Sequence, residues 1–275
     1  MFLDLVKAII LGLVEGVTEF LPISSTGHLI VINNWLRFGE SFTALFDVVI
    51  QLGAILAVIV VFWKKLWPFG KDPIKKTTTL NVLSVTIWYK TILAVVPALV
   101  LGAIFGGLIE EKLFNPIVVA IALIVGGIVL IAVEKKQSIS SAPLLTSAIS
   151  YRTAFYIGLF QCLAMIPGTS RSAATIIGAM LLGASRGAAV EFSFFLAIPT
   201  MLAASAYSVL KHGFVITDNE LLILVTGFIT AFLVALAVVK FFLRYIQNHD
   251  FKSFGYYRIG LGLVVFILVL SNIIL

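Results

Sequence analysis

Apolar residues in this chain come in runs long enough to cross a bilayer. A spanning helix needs about 20 predominantly apolar residues. Six stretches meet that requirement: 43–63, 91–109, 117–133, 189–210, 221–243 and 257–275. Two more, 6–35 and 152–184, are apolar but interrupted. The first break reads Leu21-Pro22-Ile23-Ser24-Ser25-Thr26-Gly27-His28, the second Ile166-Pro167-Gly168-Thr169-Ser170-Arg171-Ser172. Unwound backbone at membrane depth is tolerated only where protein buries it or it lines a cavity. Each interrupted stretch is therefore expected to form two half-helices that enter and leave on one side, a re-entrant hairpin. The expected fold class is an all-α polytopic membrane protein: six transmembrane helices plus two broken hairpins in one domain, 1–275.

The halves echo each other. Gly12-Leu13 stands 146 residues before Gly158-Leu159, and at the same offset Glu15 faces Gln161. One gap then aligns Pro22 with Pro167 and Ser25 with Ser170, and the original offset returns for Phe46/Phe192, Leu56/Leu202 and Ala57/Ala203. The pattern predicts a repeat, about 1–135 and about 150–275. Three spans per repeat would invert the second copy. Interrupted segments at matching places in two halves are a pointer to a midplane binding site.

Charge tests this topology. In the inverted arrangement fourteen bases fall on one side, in loops 64–90, 134–153 and 240–258 and at Arg186. Four fall on the other: Lys7, Arg37, Lys112 and Lys211. Basic loops mark the cytoplasmic side. Trp63, Trp67, Trp88 and Tyr89 flank the most basic loop, as an interfacial belt would.

Composition removes other classes. The 275 residues are 61% hydrophobic and only 12% charged, with a mean hydropathy of +1.14. Soluble domains carry about 25% charged residues. A soluble enzyme, a disordered chain and a disulfide scaffold are excluded, the last because Cys162 is the single cysteine. The net charge of +6 is explained by the loops, so no nucleic-acid partner is expected. Asp4 and Lys7 ahead of an acid-bearing apolar run do not read as a cleavable signal.

The remaining ionisable residues concentrate in the breaks. Glu15 and Glu19 are four apart and share a helix face. Each acid at membrane depth costs about 2.5–3.5 kcal/mol on insertion scales, so a cation, a shared proton or a basic partner must offset it. Ser24, Ser25 and Thr26 supply hydroxyls for capping a half-helix or meeting an anion. His28 beside two acids is a candidate acid, base or nucleophile. In the second break Gly168 permits close backbone approach. Thr169, Ser170, Ser172 and Thr175 offer hydroxyls, and Arg171 a planar fork suited to phosphate oxygens. Carboxylates favour a hard divalent cation; Arg and free N–H groups favour phosphate. Divalent-cation-assisted phosphoryl transfer, with Mg2+ or Ca2+, on a membrane-embedded substrate satisfies both. Asp47, Gln51 and Glu191 are lesser candidates, since acids at helix N-termini are also ordinary dipole partners.

The run Glu15-Gly16-Val17-Thr18-Glu19-Phe20-Leu21-Pro22-Ile23-Ser24-Ser25-Thr26-Gly27-His28 resembles the first signature of the undecaprenyl-diphosphate phosphatases of the bacitracin-resistance type. Pro167-Gly168-Thr169-Ser170-Arg171-Ser172-Ala173-Ala174-Thr175 resembles the second, and Phe46-Asp47-Val48-Val49-Ile50-Gln51-Leu52-Gly53 also fits. The resemblance covers essentially the whole chain. It implies hydrolysis of undecaprenyl diphosphate to undecaprenyl phosphate and inorganic phosphate, which recycles the carrier for cell-wall synthesis. It also implies bacitracin resistance on overproduction and a site on the outer face of the bacterial cytoplasmic membrane. The partners expected are the polyprenyl diphosphate and membrane lipids, with a homo-oligomer left open. The roles expected are Glu15 and Glu19 on the metal and Ser25 as nucleophile with His28 assisting proton transfer. Arg171, Ser170 and Ser172 would hold phosphate oxygens. Direct attack by water is the rival mechanism, and a lipid-phosphate flippase of inverted-repeat fold the rival function.

Overall fold

The computed structural model describes residues 1–71, 78–136, 149–212 and 216–274. Parts of three expected loops, 72–77, 137–148 and 213–215, lie outside the described residues. Eleven helices are described: α1 (Phe2–Thr18), α2 (Ser25–Leu36), α3 (Glu40–Val61), α4 (Trp63–Leu66), α5 (Val82–Leu113), α6 (Pro116–Lys136), α7 (Tyr151–Gln161), α8 (Arg171–Leu181), α9 (Arg186–His212), α10 (Asp218–Asn248) and α11 (Lys252–Leu270). A two-stranded antiparallel ribbon, Phe69–Lys71 with Thr78–Leu80, decorates the loop before α5.

Six helices, α3, α5, α6, α9, α10 and α11, are long and apolar enough to cross a membrane. They coincide with the six uninterrupted apolar runs, so the chain is an all-α polytopic protein. The end of one run moved. α5 begins at Val82, where Asn81 caps it by accepting from the Leu83 and Ser84 N–H groups. Its 32 residues reach about 48 Å at 1.5 Å per residue, well beyond a hydrocarbon core of about 30 Å. Trp88 anchors the extra turns by donating from Nε1 to the Leu66 carbonyl at 2.9 Å.

Burial separates the helices. The apolar stretch of α9 is 67% buried, against 17% for that of α5. α9 is therefore the central post, and α5 turns its Ile92, Leu99 and Ile104 outward. Phe192, Phe194 and Phe195 of α9 are buried, and Phe194 and Phe195 meet Phe20 and Phe62 edge-on.

The two interrupted stretches are each two helices in contact, α1 with α2 and α7 with α8. Each hairpin leans on the other half of the chain: α1 on α10, α7 on α5, α2 on α11, α8 on α6. Small residues permit the approach. A Cβ at Gly12 would lie 2.7 Å from the Gly227 carbonyl oxygen of α10, and one at Gly158 would strike the Ala94 carbonyl of α5. α3 crosses α9, and α6 pairs with α11.

Two bases assigned to loops belong elsewhere. Lys90 is buried in α5 and Arg258 in α11. A buried ion pair, Arg186 with Glu134, closes the end of α6 against the start of α9. Glu134 also accepts from the Phe251 N–H at 3.2 Å.

Candidate functional site

Both breaks end in the same backbone device. Ser24 and Ser170 are the N-caps of α2 and α8, with φ of 71° and 72°. Positive φ in a residue with a side chain costs about 1–3 kcal/mol and persists only where the surroundings over-determine it. Each serine Oγ accepts from a backbone N–H three residues on, Gly27 at 3.3 Å and Ala173 at 3.2 Å. That satisfies one of the orphan donors at a helix start and leaves others aimed into the break. The equivalence also corrects the sequence register. Ser24, not Ser25, matches Ser170, at the ungapped offset of 146. Ser25 therefore matches Arg171, and Pro22 matches Gly168 rather than Pro167.

The breaks converge on Glu19. Ser25 Oγ donates to Glu19 Oε2 at 2.7 Å, and Arg171 Nη2 donates to Glu19 Oε1 at 3.3 Å. The pair is largely shielded, the side chains of Arg171 and Glu19 being 11% and 9% exposed. Arg171 is fixed further by donating from Nη1 to the Ser193 carbonyl at 3.1 Å and by lying over the Phe20 ring. Its buried Nε has no partner among the described residues. Ser172 Oγ crosses between breaks to the Leu21 carbonyl at 2.8 Å and lies 3.0 Å from Ser170 Oγ.

Gly168 sits at φ +89°, and a Cβ there would lie 2.6 Å from the Val119 carbonyl oxygen, so only glycine fits. Thr169 N–H turns back to the Ile166 carbonyl at 3.1 Å. Thr169 is among the residues lining an apolar groove of about 390 Å³ between α6, α7 and α8.

Three expected residues lie away from the Glu19–Arg171 pair. Thr26 is exposed on the first turn of α2. Thr175 is fully buried one turn along α8, its hydroxyl 2.6 Å from Ser193 Oγ and bonded back to the Arg171 carbonyl. His28 is held at both ring nitrogens by other groups. Nδ1–H donates to the Ser24 carbonyl at 2.7 Å, which leaves Nε2 to accept from the Tyr257 hydroxyl at 2.7 Å. Among the described residues the hydrogen bonds of His28 run to Ser24 and Tyr257 and not to Ser25. The group on the Ser25 hydroxyl is Glu19.

Glu15 is fully buried, one turn before Glu19, and neither of its carboxylate oxygens has a partner among the described residues. Such an orphaned pair of acceptors fits a hard cation. Both Glu19 oxygens are engaged, and no cluster of three or more metal-ligating side chains occurs among the described residues. A cation here would need oxygens from a ligand to complete its shell. Asp47 Oδ1 is likewise buried without a partner, while Glu191 pairs with Lys65 at 2.7 Å.

Ser193, Tyr257 and Arg258 were not singled out from the sequence. A serine within an apolar run and a Tyr-Arg pair at the head of the last span read as ordinary. The one available signal was that Arg258 opens an apolar segment with no acid near it in sequence.

The profile of the bacitracin resistance protein BacA family matches residues 8–264. Curated relatives align along nearly their whole length. The undecaprenyl-diphosphatase of Enterococcus faecalis is 50% identical over 275 residues, covering 97% of this chain and 98% of the relative. That of Lachnoclostridium phytofermentans is 52% identical over 270 residues, with 96% of each covered. Undecaprenyl-diphosphatase 1 of Clostridioides difficile is 53% identical over 265 residues, covering 96% and 95%. With both break signatures inside the matched span, the chain belongs to the bacitracin resistance protein BacA family.

Proposed function

We propose that the protein hydrolyses undecaprenyl diphosphate to undecaprenyl phosphate and inorganic phosphate, returning the lipid carrier to cell-wall synthesis. The observation that carries this reading is the Ser25–Glu19–Arg171 chain across the two breaks. In it a hydroxyl and a guanidinium fork, at the positive ends of two half-helices, each hydrogen-bond to one carboxylate that can act as base. The names of the relatives supply the substrate.

The chemistry follows from the partners. Glu19 takes the Ser25 proton as Ser25 Oγ attacks the terminal phosphorus, and the bond to the bridging oxygen breaks. Arg171, through its unpartnered Nε, and the free N–H groups at the start of α8 stabilise charge on the phosphoryl oxygens. Ser170 and Ser172 orient those oxygens. Water then releases phosphate from the serine. Glu15 and Glu19 would hold a divalent cation together with diphosphate oxygens, and its chemistry is neutralisation of developing charge. His28, locked by Ser24 and Tyr257, stands at the head of α2 to serve proton movement around the site. The two hairpins are read as an inverted repeat, with the site open to the outer face of the cytoplasmic membrane.

Phosphate release by the purified protein from undecaprenyl diphosphate, with and without EDTA, tests the reading. Release that EDTA abolishes and Mg2+ or Ca2+ restores is expected. No release under any of these conditions would refute the hydrolase.

A further inference from the structure

Arg258 takes no part in the chemistry above, yet among the described residues it is the largest fully buried side chain. It is fully buried, seven residues into α11. Among the described residues its hydrogen bonds all run to main-chain carbonyls. Nε donates to Leu123 at 3.4 Å, and Nη2 to Ala122 at 3.1 Å. Nη1 donates to Pro22 at 3.3 Å, and Nη2 also to Gly168 at 3.1 Å. No carboxylate pairs with it among the described residues. A bare cation at membrane depth is expensive, and neutral donors would satisfy four carbonyls at less cost.

The choice of carbonyls is informative. Pro22 and Gly168 occupy equivalent positions of the two breaks, 146 residues apart. Each stands three residues before the reactive side chain of its break, Ser25 in the first and Arg171 in the second. One guanidinium thus grips matching points on both hairpins, and through Ala122 and Leu123 it fastens them to α6. The planar five-donor fork can do this; the ammonium of a lysine, with three donors on one atom, cannot span the same carbonyls.

We propose that Arg258 is a positioning residue that joins the two breaks and sets the distance between Ser25 and Arg171. The inference rests on the hydrolase reading for its kinetic consequence. Its structural half, coupling of the breaks, is measurable without it.

The test uses the full-length purified protein in detergent and compares Arg258→Gln, Arg258→Lys and Gly126→Ala. Gly126 is included because a Cβ there would collide with Arg258 Nη2. That change displaces the fork while keeping the charge and improving helix propensity. Phosphate release gives kcat and KM. Hydrogen exchange is followed in peptides covering 19–28 and 165–173, with α3 as reference.

Arg258→Gln is expected to lose about 10²-fold in kcat, the scale of a small misplacement of reacting groups, with KM changed only a few-fold. Lysine at 258 should recover little of the loss. Gly126→Ala should lose about tenfold. Exchange should rise in both breaks together and stay unchanged in α3. A folded Arg258→Gln protein with wild-type kcat would overturn the proposal. So would exchange that rises only in α6 and α11, the signature of a packing role. Should the glutamine variant not fold, Gly126→Ala decides by the same two readouts. If the wild type releases no phosphate, the hydrolase reading fails, and exchange in the two breaks alone judges the tie.

Discussion

The two breaks share a backbone and differ in chemistry. Ser24 and Ser170 adopt nearly the same φ and make the same cap. Around that frame the side chains diverge at four equivalent positions, while Ser24/Ser170 and Thr26/Ser172 keep a hydroxyl in both breaks. Glu15 faces Gln161, Glu19 faces Met165, Ser25 faces Arg171 and His28 faces Ala174. A carrier that alternates between two equivalent states has reason to keep matching groups in its two halves. Here the first break holds the acids, the candidate nucleophile and the histidine, and the second holds the cation that answers them. In the proposed mechanism the first break is the base side and the second the phosphate side. That division favours the hydrolase over a lipid-phosphate flippase of the same architecture, because fold alone does not fix function.

The largest effect should come from removing the joint between the sides. Glu19→Gln keeps the shape but leaves Ser25 without a base and Arg171 without its anion. A loss of about 10²–10⁴-fold in kcat is expected, the range for general-base removal. Phosphate release per folded molecule measures it, and wild-type turnover would remove Glu19 from the mechanism.

Next comes an exchange of identities one turn earlier. Glu15→Gln makes the first break resemble the second, and Gln161→Glu does the reverse. Glu15 carries two buried, unpartnered oxygens, so relieving that charge should raise the detergent melting temperature while activity falls at least tenfold. Gln161 accepts from Thr200 at 3.2 Å and is 1% exposed. A carboxylate there should lower stability by roughly 2 kcal/mol or more and leave kcat of the folded protein within a few-fold. Equal activity losses in the two variants would mean that both breaks react, and the asymmetry would be lost.

How far these features were legible depends on what each residue does to hydropathy. The six spans stood out because lipid-facing helices such as α5 and α11 are apolar almost all round. The start of α5 did not, because Ser84 and Lys90 are polar yet buried. Glu15, Glu19 and Arg171 were legible because charge inside an apolar run is anomalous. Tyr257 and Arg258 were hidden by position: at the head of a span they read as interfacial anchors. The letters alone pair Pro22 with Pro167, because the two prolines look like counterparts. Backbone conformation, invisible in the letters, pairs Pro22 with Gly168 instead.

A smaller effect should follow from loosening the histidine. Tyr257→Phe removes the hydroxyl on His28 Nε2 and keeps the stacked ring, whose centroid lies 5.6 Å from that of His28. One neutral hydrogen bond is worth about 0.5–1.5 kcal/mol. A fall of a few-fold in kcat is expected, well short of that in His28→Ala, which no counterpart in the second break can replace. If Tyr257→Phe were as damaging as His28→Ala, the tyrosine itself would have to touch the reacting groups.

The smallest effect tests the shared frame rather than the chemistry. Ser24→Gly and Ser170→Gly each relieve a positive-φ residue of strain of about 1–3 kcal/mol. Each also gives up a cap whose replacement by glycine costs only a few tenths of a kcal/mol. The two terms oppose, so either variant should be neutral or slightly more stable. What matters is that the pair should agree, because the φ values, the acceptor atom and the i+3 donor are the same. Melting of both variants in one detergent, referenced to wild type, should give shifts that match within about 0.5 kcal/mol, the scatter of independent substitutions. Activity should still separate them, because Ser170 shares a hydrogen bond with Ser172 beside Arg171, whereas among the described residues the Ser24 side chain makes only its cap. Unequal melting would mean that the breaks only look alike, and that the first is held by its charges rather than by a duplicated backbone.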